Sequence, residues 1–328
     1  MRKTLFSQVK NALNQLADQL NILWNRCNKR QVKSIIQFLF IGFILIFIGH
    51  SISDNWTELK SYQWQVNWGY LALSFLVLLG HRFFGVMGWN LILWIMSPGR
   101  KMPKFTQLLK VYSFSNLASY IPGTYWSLLG RVYLGRELGF STVLLSTSIV
   151  LETILVSFSG VIISFFVIPT LAPGETWVVI LGLLAMMVLI ITGINSKFIN
   201  LLASIYTRIT KKNVPVIIVS RSKLLLILST FILLWLPLGV SLFLLIKAIH
   251  HQLEISVVLM IGYFAASWLI GFFVPIAPAG LGVREAVLIF FLNEALVPDP
   301  LPMVIAILFR VLLIFQDLFW ALFAKIMN

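Results

Sequence analysis

Seven of the charged side chains in largely apolar stretches of this sequence are candidates for binding or proton transfer, and one of them, Arg284, could form part of an anion site. Arg284 and Glu285 follow two glycines in the segment VPIAPAGLGVREAV, residues 274–287. A helix that restarts near Val283 would present backbone N–H groups and the positive end of its dipole. The planar guanidinium of Arg284 matches a phosphate in a two-pronged hydrogen bond. The segment is therefore predicted either to bind a phosphate or to pair Arg284 with a carboxylate, for which Glu152 is the candidate, that only fixes the turn.

A second stretch, IPGTYWSLLGRVYLGRE at residues 121–137, has the same order of residue types. Each stretch contains a Pro and a Gly, followed by another Gly, an Arg and a Glu. Arg131 in this stretch corresponds to Arg284 in the other. Proline and glycine free backbone groups that lipid cannot satisfy, so such breaks are tolerated only where protein or trapped water covers them. The predicted breaks are at Pro122 and Gly123 in the first stretch, and at Pro278, Gly280 and Gly282 in the second.

The other candidate charges in apolar stretches are Arg82, Glu152, Arg310 and Asp317. Glu152 and Arg310 follow the two break prolines at nearly equal distances, which suggests that they face each other across a pseudo-two-fold axis. Arg310 and Asp317 are two helical turns apart and share one face of a helix. Charged groups inside a membrane are expensive, so they pair with one another or handle a substrate. We expect pairing inside a bundle or, at Glu152 or Asp317, a proton relay.

The composition is that of a membrane protein. Of 328 residues, 59% are hydrophobic and 11% are charged, whereas a soluble domain has about 25% charged residues. The net charge of +14 is expected to mark cytoplasmic loops and contact with anionic lipids rather than nucleic acid. The single cysteine, Cys27, excludes an internal disulfide. Enzyme and metal motifs are absent, so we predict no catalytic activity, cofactor or metal.

The apolar segments predict an all-α integral membrane protein. Residues 1–34 are expected to form a basic amphipathic helix on the cytoplasmic surface, followed by a polytopic domain over 35–328. Two apolar stretches, 105–139 and 256–297, are interrupted by the breaks described above. The six predicted full spans are 35–52, 69–95, 141–168, 176–194, 224–247 and 302–324.

The charges of the loops predict the topology. Lys and Arg cluster in cytoplasmic loops of membrane proteins, which places 1–34, 97–110 and 194–223 inside. With six full spans, these loops can all be cytoplasmic only if each interrupted stretch enters and leaves the membrane on the same side. Residues 105–139 would then re-enter from the cytoplasm, and residues 256–297 from outside. The chain would then contain an inverted repeat of 35–168 and 176–325, with both termini cytoplasmic. Broken helices in inverted repeats are typical of transporters with a site near the bilayer midplane.

The motifs also carry a resemblance. SNLASYIPGTYWSLLGRVYLGRELGFS, a span that contains Glu152, and PIAPAGLGVREA together resemble the lysylphosphatidylglycerol synthase transmembrane-region family, also called flippase-like. The resemblance covers residues 35–325, with Ala279 where a glycine is usual and PGTYW where a glycine-rich run is common. It implies a plasma or inner membrane protein whose best-known relatives flip aminoacylated phosphatidylglycerol. Those relatives carry a soluble aminoacyl-transferase domain, whereas this sequence stops just after its last span and is expected not to be a synthase.

Two functions are predicted from these observations. The first is a translocator for a lipid with an anionic or zwitterionic phospho- or glyco-headgroup. The second is a non-catalytic membrane partner or scaffold of a separate lipid-modifying or glycosyl-transferring enzyme. A homo-oligomer is compatible with either function. The candidates for headgroup binding are Arg82, Arg131, Glu152, Arg284, Glu285, Arg310 and Asp317.

Overall fold

The computed structural model describes residues 60, 65–120, 126–167, 180–182, 184–185, 187–188, 204, 219–274, 280, 282–295 and 297–327. The predicted helix over 1–34, the span 35–52, most of the span 176–194, and the break residues Pro122, Gly123 and Pro278 lie outside these residues. Every regular element in the described part is helical. The chain is therefore an all-α membrane protein.

Four helices are long and apolar enough to cross a membrane, and they match four of the predicted spans within a few residues. The α-helices of the described part are α1 Trp68–Met96, α2 Phe105–Leu117, α3 Trp126–Glu137, α4 Thr142–Ser164, α5 Arg221–Ile249, α6 Val257–Phe273, α7 Val283–Glu294 and α8 Leu301–Ile326. The four spanning candidates are α1, α4, α5 and α8, and α4 continues into a 3₁₀ turn at Phe165–Val167.

Each interrupted stretch contains two short helices. The first contains α2, a 3₁₀ turn at Ala118–Tyr120, and α3; the second contains α6 and α7. At about 1.5 Å per residue these helices are about 20, 18, 26 and 18 Å long. All four are shorter than the roughly 30 Å hydrocarbon core of a bilayer. None of the four short helices is therefore long enough to cross that core without a tilt or a continuation.

Local side chains define several helix starts. The Asn67 side chain accepts hydrogen bonds from the Gly69 and Tyr70 N–H groups at 3.0 and 3.2 Å. The Ser141 hydroxyl accepts one from Leu144 N–H at 3.2 Å. Both are typical N-cap residues, which satisfy backbone donors that the first helical turn leaves open. The restart of α7 at Val283 agrees with the position predicted from the sequence.

The antiparallel pair of α1 and α5 forms the centre of the bundle. The Ser74 hydroxyl, near the start of α1, lies 2.8 Å from the Ser241 carbonyl oxygen, in the second half of α5. Close to the other end of α1, the Lys223 ammonium lies 5.5 Å from the centre of the Trp94 ring. A buried hydroxyl pair and a tight helix crossing thus hold α1 against α5.

The remaining packing joins the short helices to the long ones. Helix α2 packs on α8, and α6 packs on α4. Helix α3 packs on α4, and α7 packs on α8. If α1–α4 are exchanged with α5–α8 in order, every principal pair of packed helices has a counterpart.

Candidate functional site

A buried ion pair joins α3 to α4. The Arg131 guanidinium donates to Oε2 of Glu152, and the Tyr112 hydroxyl donates to Oε1 of the same carboxylate at 2.8 Å. The Arg131 Nε also lies 3.4 Å from the Ser115 hydroxyl. Both carboxylate oxygens therefore have donors, as a buried charge requires.

Tyr112 connects this pair to a second one. Its ring centre lies 4.0 Å from the Arg131 guanidinium carbon and 5.6 Å from that of Arg82. Arg82 on α1 in turn forms an ion pair with Asp317 on α8. The ring has space because residue 85 is glycine: a Cβ there would lie 2.8 Å from the tyrosine oxygen. Tyr112 is thus placed between two guanidinium groups, each attracted to its π face.

A polar pair extends the network along α1 and α8. The side-chain nitrogen of Gln316 lies 3.2 Å from Nδ1 of His81. These residues adjoin Asp317 and Arg82 in sequence, so the two pairs lie side by side between the same two helices. His81 is therefore a hydrogen-bonded residue of the bundle interior.

A third ion pair joins α7 to α8. Glu285 accepts from the Gly282 N–H at 2.6 Å, and its other oxygen lies 3.7 Å from the Arg310 guanidinium. A carboxylate three residues after an N-cap reaches back to the cap N–H. The positive start of α7, predicted from the sequence as an anion site, therefore carries the protein's own carboxylate. Arg310 lies beside Glu285 and does not pair with Glu152, because Glu152 is held by Arg131.

Arg284 occupies a pocket made by two glycines and an aromatic ring. Its guanidinium carbon lies 5.3 Å from the centre of the Trp268 ring. A Cβ at Gly271 would overlap the arginine Cγ, and one at Gly280 would lie 2.7 Å from Nε. Gly280 also has a positive φ of 68°, which favours glycine on conformational grounds. The predicted alternative of an Arg284–Glu152 pair does not form, since both Glu152 oxygens contact Tyr112 and Arg131.

Comparison with family models shows what kind of protein contains this network. Residues 34–319 match the model described as the lysylphosphatidylglycerol synthase TM region. The chain belongs to the lysylphosphatidylglycerol synthase transmembrane-region family. A comparison with curated proteins gives no match.

Membership in the lysylphosphatidylglycerol synthase transmembrane-region family makes this a membrane protein of a family linked to lipid handling. The match covers the transmembrane region that names the family. Among the residues that the structure describes, no three His, Cys, Asp or Glu side chains are placed to hold a metal ion.

The two ion pairs that tie the short helices to the long ones have opposite polarity in this family member. In the first half the short helix supplies the cation, Arg131, and the long helix the anion, Glu152. In the second half the short helix supplies the anion, Glu285, and the long helix the cation, Arg310. The order of residues in the two motifs predicts that Arg131 and Arg284 have equivalent positions. In the structure, Glu285 and not Arg284 forms the ion pair with the neighbouring long helix, as Arg131 does in the first motif.

Several polar partners were not predicted from the sequence. They are Tyr112, Ser115 and Asn116 on α2, which all contact Arg131 or Glu152. Their spacing of three and four residues places them on one face of a helix. A polar face in an otherwise apolar stretch is the signal that could have identified them.

We expect the change Tyr112→Phe to lower the free energy of unfolding by about 1–3 kcal/mol, because one Glu152 oxygen then loses its donor while the ring stays. Denaturant unfolding in mixed micelles, followed by circular dichroism, measures the change. Tyr133→Phe is the matched control, since Tyr133 lies on α3 and its side chain is largely exposed. Equal stability of both variants would contradict the assigned role of the Tyr112 hydroxyl.

Proposed function

We propose that this protein is a lipid translocator that moves a lipid with a charged phospho- or glyco-headgroup across the membrane. The observation that carries the proposal is the set of three buried or partly buried ion pairs that join α1, α3, α4, α7 and α8, inside a protein of a lipid-handling family. Buried charges are costly in a membrane protein and are kept mainly at substrate or ion pathways. A headgroup crossing the bilayer needs such a polar path.

The proposed architecture is an inverted repeat in which α2–α3 and α6–α7 are re-entrant hairpins. Three observations support it: the order of a long helix, two short helices and a long helix occurs twice; the helix contacts are equivalent when the halves are exchanged; and α1 and α5 are antiparallel. With the span predictions 35–52 and 176–194, this makes six full spans, with both termini in the cytoplasm. The basic loops favour the plasma or inner membrane, where anionic lipids face the cytoplasm.

The proposed path lies between the two hairpins. Arg131 and Arg284 would contact the headgroup phosphate, because a guanidinium binds phosphate oxygens through two parallel hydrogen bonds. The pair Glu285–Arg310 would hold α7 against α8, and the pair Arg82–Asp317 would hold α1 against α8, while the headgroup passes. Glu152 would keep Arg131 in position between headgroup contacts.

Replacing Arg284 with alanine is expected to slow lipid movement in proteoliposomes by roughly tenfold or more, the size of losing one charge-assisted hydrogen bond. The measurement follows lipids labelled on an acyl chain and quenched from outside. Arg136→Ala is the matched control, because Arg136 also lies in a short helix but is exposed. We expect the control to transport like the wild type.

Two results would contradict the proposal. If the wild-type protein moves no labelled lipid faster than empty vesicles, translocation is wrong, and the alternative of a membrane partner for a separate lipid-modifying or glycosyl-transferring enzyme is favoured. If wild type and Arg284→Ala move lipids at the same rate, Arg284 is not on the path.

A further inference from the structure

A side-chain amide near the end of α2 has a partner at only one of its two ends. The Asn116 oxygen Oδ1 lies 3.5 Å from Nη2 of Arg131. The amide nitrogen Nδ2 is covered from solvent, and among the residues that the structure describes it has no hydrogen-bond acceptor. The amide cannot be turned over, because its N–H groups would then face the guanidinium, donor against donor. A buried donor without an acceptor therefore lies beside Arg131.

The polar groups around this donor are used. The Ser115 hydroxyl donates to the Tyr112 carbonyl at 2.9 Å and accepts from Arg131 Nε. The Ser119 hydroxyl donates to the Asn116 carbonyl oxygen at 2.7 Å. Buried polar groups nearly always have a partner, and an exception in a folded protein points to a ligand or a water molecule that binds there. The nitrogen Nδ2 of Asn116 is such an exception.

Arg131 offers a second donor at the same place. A guanidinium has five N–H groups, and the contacts of Arg131 with Ser115, Glu152 and Asn116 use three of them. The contact from Nη2 to Asn116 is at the outer limit of a hydrogen bond, so a better acceptor can replace it. Nη2 of Arg131 and Nδ2 of Asn116 are therefore neighbouring donors that can bind one acceptor group together.

The guanidinium determines the chemistry of that acceptor. A hydrogen bond from a guanidinium to a negatively charged oxygen is roughly twice as strong as one between neutral groups. The two non-bridging oxygens of a phosphate can each take one donor, as they do when a single guanidinium binds them. Glu152 contacts Nη1 of Arg131, so a phosphate at Nη2 leaves that ion pair in place and no carboxylate is left buried without its partner.

We infer that Nδ2 of Asn116 and Nη2 of Arg131 together bind the non-bridging oxygens of a lipid headgroup phosphate, which makes Asn116 a specificity-determining residue. The inference rests on the proposed translocator function and deepens it, because it adds a neutral donor to the proposed path. Nδ2 is covered in this structure, whereas Asn116 as a whole is half-buried. A displacement at the end of α2 therefore opens the site to a headgroup.

The test measures binding by calorimetry in maltoside micelles, which contain no phosphate. Two ligands with the same acyl chains are compared, dihexanoyl phosphatidylglycerol and dihexanoylglycerol, which lacks the phosphate. The wild type is expected to bind the phospholipid more tightly by roughly tenfold or more, the size of one hydrogen bond to a charged group. Inorganic phosphate distinguishes the source of the ligand. Weaker binding of inorganic phosphate supports the lipid headgroup, whereas binding as tight as that of the phospholipid would overturn the lipid assignment.

Two substitutions separate recognition from support of Arg131. Asn116→Asp keeps the shape and the oxygen that faces Arg131, but it replaces the donor Nδ2 with an oxygen. Asn116→Leu removes the donor without adding a charge. We expect both variants to bind the phospholipid more weakly by roughly tenfold or more, with binding of dihexanoylglycerol unchanged. Asn293→Asp is the matched control, because it makes the same change at an exposed position of the short helix α7, and it is expected to bind like the wild type.

The outcomes separate the inference from the proposed function. A loss in Asn116→Leu alone would mean that Asn116 only supports Arg131, and a loss in Asn116→Asp alone would mean charge repulsion; either result overturns the inference. Proteoliposomes test translocation independently, so a wild type that moves no lipid but loses phospholipid binding in both variants keeps the site and overturns translocation. Thermal unfolding checks that each variant is folded. The comparison of the two ligands needs no variant, and equal binding of both by the wild type overturns the inference by itself.

Discussion

Replacing Glu152 with alanine is expected to lower the free energy of unfolding by about 3–5 kcal/mol and to abolish lipid movement. The change leaves the Arg131 guanidinium buried without its carboxylate and removes the acceptor of the Tyr112 hydroxyl. An uncompensated buried charge is more damaging than the loss of a neutral contact. Denaturant unfolding in mixed micelles measures the stability, and proteoliposomes measure the transport.

The double variant Arg131→Met with Glu152→Leu separates stability from function. Replacing both partners of a buried pair with apolar residues is often neutral for stability, so we expect unfolding to return close to the wild-type value. Transport should stay lost, because the guanidinium that the proposed path requires is absent. Normal transport by the double variant would show that the pair is structural only. Wild-type stability of Glu152→Ala would contradict the buried pair itself.

The second large effect is expected where α5 crosses α6. A Cβ at Gly239 would lie 2.6 Å from the backbone nitrogen of Ile261 and would overlap its Cα as well. Backbone atoms cannot rotate away as a side chain can, so the two helices must separate. We expect Gly239→Ala to lower the free energy of unfolding by about 1–3 kcal/mol, measured by the same unfolding experiment.

Gly80→Ala is the matched control for this crossing. Gly80 faces the same helix from α1, but a Cβ there would lie 3.5 Å from the Pro237 ring, which is ordinary contact. Alanine is also the better helix former by about 1 kcal/mol. The control is therefore expected to be neutral or slightly stabilising. A loss of stability as large as that of Gly239→Ala would mean that the close approach of α5 and α6 is not the cause.

Helix α8 connects the charged network to both halves. Asp317 binds Arg82 on α1, and Arg310, two turns earlier, contacts Glu285 on α7. The same helix packs against α2 of the first half. A displacement of α7 that breaks the Glu285 contact therefore acts on the helix that also carries Asp317, the partner of Arg82.

The sequence alone predicts the membrane class, four of the helices and the restart at Val283. Long apolar runs predict spans because a helix needs about 20 apolar residues to cross a bilayer. Val283 was predictable because glycines before a helical segment mark its start, and Gly282 has the positive φ of 81° that glycine allows. The family was also predictable from its motifs, and the match over residues 34–319 confirms it.

Only the tertiary structure decided which charges meet. The sequence suggested Arg284 or Arg310 for Glu152, yet Arg131 and Tyr112 hold it. Neighbouring residues of a helix point about 100° apart, so Arg284 and Glu285 face different partners although they adjoin. Which helix each one faces depends on packing between segments far apart in the chain. The length of the apolar runs and the positions of the glycines determine where helices form, while the crossings of the helices determine which side chains pair.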